Sequence, residues 1–185
     1  ADVMSVYCGS QAANHSQEIL ARDVFKVEFD RVRVQVMRLG GGFGARVTPY
    51  PEDALVMFAA RQLRRPVRWR ADRSEAFLAD YHARDHVLPV SLGFDSNFRL
   101  TALQVDDLAN LGAFPSPFGI PIATSTGNRI INGVYDIPVV SLRCRTVLTN
   151  SVPTGPYRGA GRPEAIHRLE YAMEAAAAKL GVDPV

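Results

Sequence analysis

The chain has 185 residues, of which 47% are hydrophobic and 22% charged, and its formal net charge is +2. These values are typical of a globular protein with one ordinary domain or two small ones, and the scattered arginines do not predict a nucleic-acid interface. No apolar run approaches the ~20 residues that span a bilayer and no secretory leader is visible, so we expect a cytoplasmic protein without a membrane partner. The two cysteines, far apart in the sequence, suggest reduced thiols rather than a disulfide framework.

The first 80 residues are predicted to contain both strands and helices. Val32, Val34 and Val36 alternate with other residues, which predicts a strand with one buried face. Pro51 followed by two acidic residues predicts the start of a helix. The other elements expected here are a strand over 4–8, a helix capped by Ser16 that ends near Phe25, an end of the second helix at 64–66, a short strand over 67–69 and a short helix or turn over 73–77.

The valine strand leads into a glycine-rich stretch, residues 40–44, which reads Gly-Gly-Gly-Phe-Gly. Glycine adopts positive φ and allows a second group to approach the backbone, and successive N–H groups in such a turn can form an anion-binding nest. Local sequence leaves two interpretations open: a tight turn that binds nothing, and a binding loop.

The second half of the chain is predicted to begin with a hairpin. Strands over 86–94 and 99–108 flank a polar turn and are expected to pair antiparallel. A stretch rich in Pro, Gly, Ser and Thr covers 112–135 and is interpreted as a long loop that is functional or packed against a partner. A strand over 139–148, a second glycine-bearing loop over 153–162 and a helix from Pro163 to Leu180, with Gly181 as its C-cap, complete the chain.

Strands and helices follow one another without a regular βαβα order. The expected fold class is therefore α+β, with mixed and antiparallel sheets and helices packed on one face. We expect two parts, residues 1–80 with the glycine-rich loop and residues 81–185 with the hairpin, the long loop and the C-terminal helix. Because the chain begins without Met in a predicted strand and stops just after a helix, we interpret it as a piece of a longer protein.

Three common sites are disfavoured by the sequence. Residues 40–45 fit the G-x-G-x-x-A pattern, but prolines delay the next helix and no acidic residue occurs over 60–71, as a dinucleotide fold requires. The Gly-Lys-Ser/Thr of a Walker A loop is absent. His82 and His86 lack a third metal ligand nearby and lie at a strand entry, so no metal site is predicted.

The second glycine loop, residues 157–162, carries two arginines directly before the C-terminal helix. A helix N-terminus and arginine together suit an anionic or carbonyl-bearing ligand. An ordinary helix entry with solvated arginines is the alternative.

The ordered set of these motifs resembles the large, molybdopterin-binding subunit of the xanthine oxidase family of molybdenum hydroxylases. The resemblance covers nearly the whole chain and corresponds to the middle of that subunit. The segments that carry it are Gly41-Gly42-Phe43-Gly44, Pro51-Glu52, Arg65-Pro66-Val67-Arg68-Trp69, Asp72-Arg73-Ser74-Glu75, His82-Ala83-Arg84-Asp85, Leu111-Gly112-Ala113, Leu148-Thr149-Asn150 and Tyr157-Arg158-Gly159-Ala160-Gly161-Arg162-Pro163-Glu164.

The resemblance implies roles for particular residues. Gln11 matches a glutamine that hydrogen-bonds an oxo ligand of molybdenum, and Arg158 matches an arginine that faces substrate in the purine enzymes. These two are the implied catalytic-site residues. The implied cofactor-binding residues, with Phe43 and Gly44 against the molybdenum centre, are Gly41, Gly42, Phe43, Gly44, Arg46, Gly159 and Ala160. No residue is implied as a direct metal ligand.

Two departures from the family pattern qualify the resemblance. True carbon monoxide dehydrogenases carry a copper-binding Cys in the loop that corresponds to 156–162, where this chain has none. The chain therefore resembles the carbon monoxide dehydrogenase-like branch that lacks the copper ligand. The general-base glutamate of the family lies near the C-terminus of the full subunit, and no residue here matches it.

The implied activity is that of an oxidoreductase that hydroxylates aldehydes or aromatic heterocycles with water as the oxygen source. The implied cofactor is molybdopterin with molybdenum, with the cytosine dinucleotide form left open. The implied partners are the remainder of the large subunit, iron–sulfur and FAD-containing subunits or domains, and a small-molecule substrate. The chain alone is expected to be inactive and to self-associate. The alternatives are a non-catalytic scaffold or binding module that retains the fold and, ranked last, an independent nucleotide-phosphate binder.

Overall fold

The computed structural model describes residues 3–184. The chain divides into two compact units, with the boundary between Asp80 and Tyr81.

Unit 1 is built around two parallel strands. Strand β1 (Met4–Tyr7) pairs with β2 (Val32–Gln35), and Val6 lies opposite Val34. Parallel strands need a crossover, which is supplied by α1 (Ala13–Glu18), its continuation as a π-helix over Ile19–Phe25, and a 3-10 turn over Phe29–Arg31. The core of this unit consists of Val6, Leu20, Ala21, Val32 and Met57.

Two further helices complete unit 1. Helix α2 (Pro51–Leu63) begins where the Asp53 carboxylate accepts the Tyr50 N–H at 2.9 Å, and it ends at Arg64 in the left-handed conformation. Helix α3 (Arg73–Ala79) is capped by Asp72, which accepts the Glu75 N–H at 2.7 Å. Both starts follow the sequence signals, because acidic side chains satisfy amide groups at helix N-termini.

Two predictions for unit 1 are wrong. Ser16 is not a helix cap: it lies inside α1, is fully buried and shares a hydrogen bond of 3.0 Å with the Ser10 hydroxyl. Residues 67–69 do not form a strand. The valine strand is confirmed over Val32–Gln35, but Val36 lies beyond its end.

Unit 2 contains a mixed sheet centred on the long strand β5 (Leu100–Asn110). Strands β3 (His86–Val87) and β4 (Val90–Phe94) pair antiparallel with β5, and β6 (Val139–Val147) pairs parallel with it. The predicted hairpin is confirmed, with an interruption at Leu88 and Pro89, where Pro cannot donate to the ladder. The odd-numbered residues of β5 from Leu103 to Ala109 are buried, so one face of the sheet carries the core.

The stretch 112–135 is not an irregular loop. It contains helical turns over Gly119–Pro121 (α4), Ile122–Thr126 and Asn128–Ile130, and Ala123 and Ile131 are buried. The hydroxyls of Thr124, Ser125 and Thr126 donate to the carbonyls of Ile120 and Pro121 at 2.8 to 3.1 Å. The polar composition that predicts a loop therefore satisfies the carbonyls of short helical turns.

Helix α5 (Arg162–Leu180) packs on the buried face of the sheet. Its Leu169 lies in a core with Leu103, Val105, Ile131 and Ile137, and Gly181 ends the helix at φ 71°. The expected fold class, α+β with mixed sheets, is confirmed. Within residues 3–184, no helix is both long and apolar enough to cross a membrane.

Candidate functional site

The glycine-rich loop of unit 1 has a left-handed backbone of the kind that favours glycine. Gly41 and Gly44 have φ values of 135° and 100°, and Phe43 between them has φ 50°. A Cβ on Gly41 would lie 2.5 Å from Cε2 of Phe43, so the aromatic ring covers this glycine. Among the described residues, the N–H groups of Gly41 and Gly42 make no hydrogen bond. The loop thus presents free backbone donors, as an anion-binding nest does.

Gln11 lies against this loop. Its side-chain carbonyl accepts the Gly44 N–H at 2.9 Å, and its backbone N–H donates to the Arg46 carbonyl at 2.9 Å. A Cβ on Gly42 would lie 2.8 Å from Cδ of Gln11. Because the carbonyl end of the amide is held by Gly44, the NH₂ end is the part that can donate to a ligand.

Arg46 is held by side chains of the same unit. Its guanidinium lies 3.5 Å from the Asp80 carboxylate and 4.8 Å from the ring centroid of Tyr50. The Tyr50 hydroxyl donates in turn to the Ala45 carbonyl at 3.1 Å. These contacts fix the chain just after the glycines. They also give Arg46 a structural role that the sequence does not indicate.

Unit 2 contains a cleft of about 990 Å³. Unit 1 contains a cleft of about 910 Å³, and the residues that line it include Cys8, Arg46 and Asp53. Burial raises the pKa of the Asp53 carboxyl. Burial, and secondarily the Asp53 charge, raises the pKa of the Cys8 thiol to about 11. The Cys8 thiol is therefore protonated at neutral pH and is a poor nucleophile.

The second glycine loop, 157–162, also has a left-handed backbone. Gly159, Ala160 and Gly161 have φ values of 86°, 45° and 90°. The Ala160 N–H donates to the Tyr157 carbonyl at 2.8 Å. Within the described residues the Gly159 N–H has no hydrogen-bond partner, so Gly159 rather than Ala160 offers a backbone donor.

Arg84 joins the second loop from the segment before β3. Its Nη2 donates to the Arg158 carbonyl, and its guanidinium lies 5.3 Å from the ring centroid of Tyr157. The Arg158 side chain itself is exposed. The sequence marks residues 82–85 as a polar cluster but gives no signal that Arg84 contacts this loop.

A buried polar chain in unit 2 was also missed from the sequence. His86 Nδ1 lies 2.8 Å from Asp107 Oδ1, Asp107 Oδ2 lies 3.4 Å from Arg168 Nη1, and Arg168 Nη2 donates to Asn128 Oδ1 at 2.6 Å. Burial lowers the pKa of Arg168 and the Asp107 charge opposes that shift. The available signal was Asp107 at an inward-facing position of β5, where a carboxylate needs partners.

The structure brings the expected site residues together in two groups, each within its own unit. Gln11, Gly42, Gly44 and Arg46 are linked in unit 1 by the contacts above, and Arg158 adjoins Gly159 and Ala160 in unit 2. Over residues 3–184, no cluster of three His, Cys, Asp or Glu side chains could hold a metal ion. Both groups offer neutral N–H donors and cationic side chains, which suit anionic or oxo-bearing ligands.

Comparisons with known proteins agree on one family. The family described as "Molybdopterin cofactor-binding domain" matches residues 1–185. The chain is 31% identical over 84% of its length to the nicotine 6-hydroxylase large subunit of Paenarthrobacter nicotinovorans, and 30% identical over 97% to the carbon monoxide dehydrogenase large chain of Hydrogenophaga pseudoflava. It spans 20% and 22% of those two proteins. The crystal structure of quinoline 2-oxidoreductase from Pseudomonas putida 86 superposes with a TM-score of 0.85 at 32% identity, covering 97% of this chain and 23% of that one.

Proposed function

Because the chain belongs to the molybdopterin cofactor-binding domain family of the molybdenum hydroxylases, we propose that it supplies part of the cofactor-binding surface of a hydroxylase large subunit. The observation that carries this proposal is the bond between Gln11 Oε1 and the Gly44 N–H. This bond holds the exposed Gln11 side chain against the glycine loop, so that the N–H donors of both have fixed positions.

The donors of unit 1 fit the cofactor implied by the family. The free N–H groups of Gly41 and Gly42 and the NH₂ of Gln11 are neutral donors, which bind oxo, sulfido and phosphate groups without a charge of their own. Gly42 has no room for a side chain because the Gln11 side chain fills that space, so a larger residue at this position would displace the Gln11 amide. Phe43, 54% exposed, offers an apolar surface beside the donors.

The donors of unit 2 form a smaller set. Gly159 contributes one free N–H, and Arg158 contributes an exposed guanidinium. A guanidinium is suited to orient a carbonyl-bearing or anionic substrate by paired hydrogen bonds. We assign Arg158 to substrate orientation and Gly159 to cofactor contact on this basis, with Ala160 reduced to shaping the turn.

When bound, the molybdenum cofactor supplies the oxidation and hydroxylation chemistry, which protein side chains cannot carry out alone. The residues described above bind and orient it. The complete protein is proposed to hydroxylate an aldehyde or an aromatic heterocycle with water as the oxygen source. It is proposed to act in the cytoplasm with iron–sulfur and flavin partners that accept the electrons. The absence of a Cys in residues 156–162 supports this choice over carbon monoxide oxidation.

The test is a substitution of Gln11 in the intact subunit. Gln11→Ala removes the NH₂ donor and frees the Gly44 N–H, so we expect at least a tenfold loss of turnover with aldehyde or heterocycle substrates in ¹⁸O-labelled water. Gln17→Ala is the matched control, since this glutamine lies on α1 of the same unit and its amide donates to the Phe29 carbonyl at 3.1 Å. Equal turnover in the wild type and in Gln11→Ala would refute the role of Gln11. An intact subunit that labels no substrate would refute the proposed activity.

A further inference from the structure

Arg84 holds the second glycine loop through three different contacts. Its Nη2 donates to the Arg158 carbonyl, its guanidinium lies 5.3 Å from the Tyr157 ring centroid, and its Nε lies 4.0 Å from Glu164 Oε1. The Glu164 side chain is 9% exposed and that of Arg84 33%, so the ion pair is partly shielded from water. A hydrogen bond, a cation–π contact and an ion pair from one side chain thus join the start of the loop to the first turn of α5.

The backbone that carries Arg84 is itself fixed. Arg84 has φ 63°, which is uncommon for a residue other than glycine and persists only where surrounding contacts enforce it. His82 on one side donates its N–H to the Pro153 carbonyl at 3.0 Å and accepts the Gly155 N–H at 2.7 Å. On the other side, the backbone carbonyl of Asp85 accepts the backbone N–H of Asn110 at 2.9 Å. The Asp85 carboxylate accepts the side-chain NH₂ of Asn110 at 2.7 Å. Arg84 thus extends from a rigid segment.

The contact with the Arg158 carbonyl has a geometric consequence. A trans peptide is planar, with its C=O and N–H pointing in opposite directions, and the described chain contains no cis peptide. When Arg84 draws the Arg158 carbonyl toward itself, the Gly159 N–H of the same peptide must point away from Arg84. Of the Gly159 and Ala160 N–H groups, that of Gly159 is the one without a hydrogen bond among residues 3–184.

We propose that Arg84 is a positioning residue that holds the Arg158–Gly159 peptide so that the Gly159 N–H donates to the bound molybdopterin cofactor. This inference rests on the proposed function for the identity of the ligand. The holding of the peptide by Arg84 does not depend on it. A lysine at position 84 keeps the charge but lacks the planar fork that bonds a carbonyl while stacking on a ring.

The holding of the loop is tested by amide hydrogen exchange in the intact subunit prepared without cofactor. The reporters are the Ala160 and Arg162 N–H groups, which donate to the Tyr157 and Gly159 carbonyls. We expect both to exchange at least tenfold faster in Arg84→Ala, and Arg84→Lys to restore only part of the protection. Arg73→Ala is the matched control, since Arg73 stacks on Phe77 at 4.8 Å in unit 1. Unchanged exchange over 157–162 in Arg84→Ala would overturn the proposal.

The positioning role is tested on the subunit produced with its cofactor. We expect the Arg84→Ala subunit to contain at least fivefold less pterin than the wild type. Its Mo(V) electron paramagnetic resonance spectrum should differ from that of the wild type, and Arg84→Lys should be intermediate in both measurements. If exchange rises while pterin content and spectrum stay those of the wild type, Arg84 is only structural and the proposal fails. If Arg84→Ala loses protection throughout β5 as well, Glu164→Gln, which weakens the ion pair and keeps the Arg84 side chain and its bond to the Arg158 carbonyl, must show the same effect limited to 157–162. A wild-type subunit without pterin would instead refute the proposed function, whatever the exchange result.

Discussion

Gly42 shows how narrowly the first loop is built. A Cβ there would lie 2.9 Å from Cβ and 2.8 Å from Cδ of Gln11, whereas a Cβ on Gly40 would meet nothing within 4 Å. We predict that Gly42→Ala displaces the Gln11 amide, lowers the pterin content of the intact subunit at least tenfold and costs about 1–3 kcal/mol of stability. Gly40→Ala should change neither. Pterin fluorescence and thermal unfolding measure both effects, and equal pterin content in the two variants would contradict the assignment of Gln11.

Cys8 gives a prediction about pH at the same scale. Its thiol pKa is raised from 9.0 to about 11, first by burial and then by the Asp53 charge. The reactive thiolate should therefore be about a hundredfold scarcer at pH 8 than for an ordinary thiol. In a Cys144→Ser background, the rate of alkylation by iodoacetamide should keep rising with pH to about 11. A plateau near pH 9 would show that the thiol is not shielded from water as its half-buried position in the structure implies.

At the scale of elements, the His86–Asp107–Arg168 chain ties β3, β5 and α5 together. The side chains of Asp107 and Arg168 are 2% and 3% exposed, so removing the carboxylate leaves a buried guanidinium without its counter-charge. We predict that Asp107→Asn lowers the free energy of unfolding by about 3–5 kcal/mol. Asp106→Asn is the control: its partner Arg145 lies at 3.0 Å on the surface, and such exposed pairs contribute about 0–1 kcal/mol. Urea denaturation of both variants measures the free energies of unfolding. Equal transition midpoints for Asp107→Asn and Asp106→Asn would contradict the predicted importance of the buried carboxylate.

Sequence patterns correctly predicted the elements whose signals are local, namely alternation of apolar residues and the residues at helix ends. The valines of β2, the acidic start of α2 and the glycine at the end of α5 each carry their own signal and were placed correctly. The prediction of Ser16 as a cap failed because α1 already begins at Ala13, and the buried Ser16 hydroxyl pairs with Ser10 inside the unit. The prediction of a long loop over 112–135 failed because helical turns stabilised by hydroxyl-to-carbonyl bonds show no periodic apolar pattern in the sequence.

The candidate site divides in the same way. The glycine loops could be located from the sequence, because positive φ restricts residue choice locally. The part played by Arg84 could not be inferred, since it lies 74 positions before Arg158 and nothing in its neighbours predicts that approach. Nor could local sequence distinguish the free Gly159 N–H from the engaged Ala160 N–H, which depends on the turn hydrogen bonds alone.

At the scale of the whole molecule, the chain spans about a fifth of the length of the curated relatives described above. The sheet face of unit 2 opposite its core is half-buried and carries exposed apolar residues. Val87 and Val139 on that face are each 60% exposed, and such apolar surface favours association. We predict that the 185-residue chain self-associates at micromolar concentration, and that Val87→Lys with Val139→Lys makes it monomeric. Sedimentation equilibrium measures this. A monomeric unsubstituted chain would contradict the prediction.

The measurement that bears most directly on the central claim is the molybdenum and pterin content of the intact protein that contains this chain, purified from a host that makes active molybdenum hydroxylases. The family assignment predicts about one molybdenum and one pterin per subunit, with little of either bound by the 185-residue chain on its own. An intact subunit that carries neither molybdenum nor pterin would contradict the claim that these loops bind molybdopterin.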